Sequence, residues 1–85
     1  MDNNKVLVRL IVPEIDKTYD VLLPISRKIG NILYLLNKGL EEQNGNSFKA
    51  NNHRSLYNRY TGTRYSVNSI IYDTDIRNDT ILVMM

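Results

Sequence analysis

The chain has 85 residues, of which 42% are hydrophobic and 24% charged, with a formal net charge of +2 and no cysteine. That length suits one domain over residues 1–85 and leaves no room for a second core. Without cysteine there are no disulfide staples, thiolate metal sites or thiol nucleophile, and two surplus positive charges fall short of the clustered basic face of a nucleic-acid binder.

The start, Met1 to Asn4, is acidic and polar, and the apolar run after it is broken by Arg9. A secretory leader needs a basic start and a longer apolar stretch, and nothing approaches the roughly 20 apolar residues of a membrane span. The expectation is a cytoplasmic protein with no direct membrane insertion.

Lys5 to Val12 is rich in β-branched residues and alternates, with Val6, Val8, Leu10 and Val12 on one side and Leu7, Arg9 and Ile11 on the other. Turn chemistry follows in Pro13 to Lys17, and Thr18 to Leu23 alternates again, which predicts a hairpin. Pro24 has no N–H for a ladder and stops the second strand.

From Ser26 to Gly45 the period changes. Ile29, Ile32, Leu33, Leu36 and Leu40 fall at helical spacing, with Ser26 as the expected N-cap and Gly45 as the terminator. Gly30 and Gly39 each cost roughly 1 kcal/mol inside a helix, and Arg27, Lys28, Glu41 and Glu42 oppose the helix dipole. Burial of the apolar stripe must therefore hold this helix.

An Asn-rich polar connection leads to a short strand near Leu56 to Tyr60, a turn at Thr61 and Gly62, and a shorter strand at Arg64 and Tyr65. A single tight turn then carries Ile71 and Ile76 inward, and Thr80 to Met85 is the last strand. The predicted core is Val6, Val8, Leu10, Val21, Leu23, the helix stripe, Leu56, Tyr65, Ile71, Ile76, Ile81 and Val83. One helix across a single mixed sheet is the smallest arrangement that buries these stripes.

This order resembles ubiquitin and the β-grasp fold over nearly the whole chain. The most specific part is the stretch from Ile71 to Val83, where Ile71, Asp73, Ile76, Thr80 and Ile81 stand at places matching the family's approach to its last strand. The resemblance implies an α+β fold with a mixed five-stranded sheet, one helix packed across it, and the last strand central and parallel to the first. Ubiquitin and the small sulfur carriers continue into a flexible Gly-Gly tail, whereas this sequence runs into Met84 and Met85, so conjugation is not expected. Length and the missing tail make the chain similar to the YukD/EsaB family, small cytoplasmic accessory components of type VII secretion systems of the WXG100/ESX kind. That implies a protein partner such as a secretion ATPase or membrane component. The rival reading is a ubiquitin-like modifier or sulfur-carrier relative that lacks the tail.

No residue pattern points to catalysis or a cofactor. His53 is the only histidine and sits in the polar loop, and Asp73, Asp75 and Asp79 lack the spacing of a calcium loop; turn and capping roles suit them. The expected site is instead the sheet face opposite the helix, with Leu7, Arg9, Ile11, Leu22, Tyr57, Arg59, Leu82 and Met84 as candidate protein-binding residues. Tyr and Arg are enriched in binding hot spots. Arg27, Lys28, Arg54, Arg59 and Arg64 form a weaker candidate for an anion or nucleic-acid site.

Overall fold

The computed structural model describes residues 4–85. Four strands, β1 (Lys5–Val12), β2 (Lys17–Pro24), β3 (Leu56–Asn58) and β4 (Ile81–Met84), surround one helix in sequence, α1 (Ile29–Asn44), with 3₁₀ turns at Pro13–Ile15, Gly45–Ser47 and Ile71–Asp73. The sheet order is β2-β1-β4-β3. β1 pairs antiparallel with β2, β4 lies parallel to β1, and β3 pairs antiparallel with β4.

Among the described residues the sheet thus has four strands rather than the expected five. The segment at Arg64 and Tyr65 contributes only an isolated bridge, Tyr57 to Arg64. The turn before it closes with Gly62 at φ 74°, a left-handed conformation that glycine adopts without steric cost. Beyond Tyr65 the chain leaves the sheet, because Val67 and Ser69 are needed at the start of the helix.

Lys28, not Ser26, is the N-cap of α1, and it makes no side-chain capping bond. Ile29 N donates to Ser69 O at 2.8 Å and Gly30 N to Val67 O at 2.9 Å, so neighbouring backbone satisfies amides that a capping side chain usually serves. This close approach explains Gly30: a Cβ there would stand 3.2 Å from Val67 O, whereas one at Gly39 would meet nothing within 4 Å. Gly39→Ala is therefore expected to stabilise the fold by about 1 kcal/mol, raising Tm by roughly 4–8 °C. Gly30→Ala should not show that gain, since Val67 must shift. Paired thermal melts check this, and equal gains would refute the close-approach account.

The inward residues of β1 pack with Leu23, Ile29, Ile32, Leu33, Leu40, Leu56, Tyr65, Ile71 and Ile76. Val21 and Leu36 lie partly buried against this core. Phe48 is fully buried although its surroundings in sequence are polar.

The last strand sits in the opposite phase to expectation. Leu10 is in register with Leu82, and Leu56 with Met84, so Leu82 and Met84 are buried completely, while Ile81 and Val83 face away from the helix and remain half-buried. The segment is apolar on both alternating sets, so its own pattern cannot choose a face. The register is chosen by the preceding turn, where Asp79 adopts φ 72° and donates its N–H to Leu7 O.

Tyr65 ties the ends of this layer together. Its hydroxyl donates to Asp75 Oδ1 at 2.6 Å and accepts from Asn58 Nδ2 at 3.1 Å. Burial first, then the Asp75 bond, pushes its pKa up from 10.0 to about 12. The folded chain then holds a proton that the unfolded chain has released, so this contribution to stability is complete below pH 10 and lost as the pH rises towards 12. Urea midpoints are expected to fall across that window, less steeply in Tyr65→Phe, which should also lose about 1–2 kcal/mol at neutral pH. Parallel slopes would remove Tyr65 as the cause.

Candidate docking surface

Alternation along β1 points Lys5, Leu7, Arg9 and Ile11 away from the helix. Register then fixes their neighbours: Leu22 beside Leu7, Asp20 beside Arg9, and Thr18 beside Ile11. Across the centre, Arg9 pairs with Ile81, Ile11 with Val83, and Val83 with Tyr57. At the far side, Arg59 N donates to Ile81 O and Arg64 bridges Tyr57. Two rows result, Asp20-Arg9-Ile81-Arg59 and Thr18-Ile11-Val83-Tyr57-Arg64, and no helix covers them.

Six of the residues expected here, Leu7, Arg9, Ile11, Leu22, Tyr57 and Arg59, lie on or at the rim of this face. Leu82 and Met84 do not: both point into the core, and Ile81 and Val83 take their places. Leu7 is 44% and Leu22 60% exposed. A solvent-facing sheet surface is usually polar, whereas this one carries an aliphatic stripe with Tyr57 at its end. The Arg9 to Asp20 pair, 3.4 Å apart and exposed on both sides, contributes little to stability.

Arg54 belongs elsewhere. Its side chain is 5% exposed and its guanidinium forks onto Glu14 at 2.8 Å. It also donates to Asn37 Oδ1 at 2.6 Å and Lys49 O at 2.7 Å, and stacks 3.9 Å from the Phe48 ring centroid. The polar loop is thereby fastened to both α1 and the first hairpin. With Arg54 so engaged, and the first helical amides held by Val67 and Ser69, the five basic residues considered for an anion site are not brought together. Sequence reasoning missed the buried Asn37 and Arg54; the one signal was Phe48, a lone large apolar residue in a polar stretch.

A recess lies away from the sheet face. It is about 540 Å³ between α1 and residues 50–54, walled by Leu33, Tyr34 and Val67. Asn37 and Arg54, the buried polar side chains among its lining residues, already have partners, so neither is free to orient a ligand; the exposed Lys38 and Asn52 also line it. Among the described residues no group of three or more His, Cys, Asp or Glu is placed to hold a metal ion. Nor, among the described residues, is any helix long and apolar enough to cross a membrane.

No family profile and no curated protein sequence matches the chain. Solved structures do. The N-terminal ubiquitin-like domain of the 4931431F19Rik protein superposes with a TM-score of 0.74 at 13% identity, over 99% of this chain and 76% of that one. The fold is ubiquitin-like. A second match, from a structure described as molecular mimicry of SUMO promoting DNA repair, reaches a TM-score of 0.78 at 7% identity over 100% and 95% of the two chains. A third lies within a chain of the MycP5-free ESX-5 inner membrane complex, 0.70 at 17% identity, over 96% of this chain and 21% of that longer one.

Proposed function

We propose that this chain is a non-catalytic ubiquitin-like interaction module, a cytoplasmic accessory component of a type VII secretion system that docks through its outer sheet face. The observation that carries the docking reading is the uncovered stripe of Leu22, Leu7, Ile81, Ile11, Val83 and Tyr57, an apolar surface where water-facing strands normally place polar groups. The likeness to part of an ESX-5 inner membrane complex chain supports the choice of assembly. The partner is then a secretion ATPase or a membrane component of the apparatus.

The test is affinity capture of the tagged protein from native cytosol and solubilised membranes, with identification of bound proteins and intact-mass analysis of the bait. Recovery of secretion components is expected, lost in Tyr57→Ala and Leu22→Asp while their circular dichroism stays native. Capture retained by both variants would remove the docking face. An adenylating enzyme in the eluate, or bait joined covalently to other proteins, would favour the modifier reading instead.

A further inference from the structure

The docking face has an electrostatic direction. At its β3 side, Arg59 and Arg64 are exposed on either side of Tyr57, and among the described residues no carboxylate lies within 4.0 Å of either; the ion pairs are Arg9 with Asp20 and Arg54 with Glu14. Arg64 Nε has only a hydroxyl partner, Ser55 Oγ at 3.1 Å. At the β2 side the balance differs, because Asp20 answers Arg9 and Asp79 lines the same recess as Leu7 and Ile81. Two unanswered guanidinium groups therefore flank one end of an apolar stripe, and the other end is near neutral.

We infer that the partner presents an acidic segment, with carboxylates placed against Arg59 and Arg64 and apolar side chains laid over Ile81, Val83 and Ile11. Guanidinium groups pair with carboxylates through parallel charged hydrogen bonds, and opposite potentials across an interface set register and encounter rate. A second copy of this chain fits less well, since among the described residues its own face offers only Asp79 as a carboxylate outside an ion pair. Nucleic acid also fits less well: a phosphate backbone would meet the arginines but leave the aliphatic centre uncovered. This inference rests on the docking reading above.

The experiment is an amide-shift titration of isotope-labelled protein with a short synthetic peptide in which Glu pairs flank Leu pairs, and with its Gln analogue. The expected shifts centre on Tyr57, Arg59, Arg64, Ile81 and Val83. Affinity should fall about tenfold for the Gln analogue and for the Arg59→Glu/Arg64→Glu double variant, and severalfold between about 50 and about 300 mM salt. Equal binding of both peptides, or shifts centred elsewhere, would overturn the inference. So would tighter binding of oligothymidine or of vesicles mixing phosphatidylcholine with phosphatidylserine, or a dimer in sedimentation. The captured secretion component separates the two claims. Loss of capture in Tyr57→Ala with full capture in the double Arg variant keeps the docking face and discards the acidic partner; retained capture in Tyr57→Ala discards both.

Discussion

Met84→Asp is expected to abolish the native far-UV circular dichroism spectrum at neutral pH. Met84 is wholly buried opposite Leu56, so the change removes about 2 kcal/mol of side-chain burial and places a carboxylate where nothing pairs it, at several kcal/mol more. A domain of 85 residues holds roughly 4–13 kcal/mol in total. Val83→Lys, one residue earlier on the outward face, is expected to fold, since its stem can lie along the stripe with its amine in water. A native, cooperative melt from Met84→Asp would show that the phase of β4 described above is wrong.

Arg54→Met is expected to cost about 3 kcal/mol in urea unfolding. It leaves the Lys49 carbonyl without its guanidinium donor and removes the strongest donor to Asn37 Oδ1, whose remaining partner is Asn51 N at 3.4 Å. It also releases Glu14, whose side chain is 48% exposed and readily rehydrated, so the loss falls on the loop rather than on the hairpin. Glu14→Gln keeps an acceptor for the fork and should cost about 1 kcal/mol. Hydrogen exchange would localise the effect to residues 48–54, and an Arg54 variant as stable as the wild type would show that the buried cation fastens nothing.

Both variants mark where sequence reasoning stopped. The first hairpin and the helix were legible because each buries one face only: alternation in Lys5–Val12 and the stripe from Ile29 to Leu40 have a single phase that satisfies them. The outward positions on β1 and β2, and Tyr57 on β3, followed from the same alternation. In β4 both faces are apolar, so its phase depends on a turn geometry that Asp79 and Leu7 share across 72 positions of chain, and local alternation alone puts Leu82 and Met84 on the wrong side. Arg54 was hidden for a related reason. Its carboxylate partner lies 40 residues away, in a hairpin turn whose composition announces only a turn. Ser26 resembled a helix cap locally, yet the donors it would have served are met by carbonyls from beyond Ser66.

The pairing of β1 with β4 also has a temporal meaning. Arg9 and Ile81, about 70 residues apart, are neighbours at the centre of the sheet, so the most consequential contact is also among the most distant along the chain. A nascent polypeptide can form the first hairpin and α1 early, but β1 keeps a bare edge, and β3 has nothing to join, until residues 81–84 clear the ribosome. Such a high contact order slows the final closure. An unpaired edge beside an apolar face is a template for mispairing while it waits. Translation products that stop short of Ile81 would therefore be expected to fall to proteolysis, and the cell's dosage of this protein would depend on completion as much as on initiation.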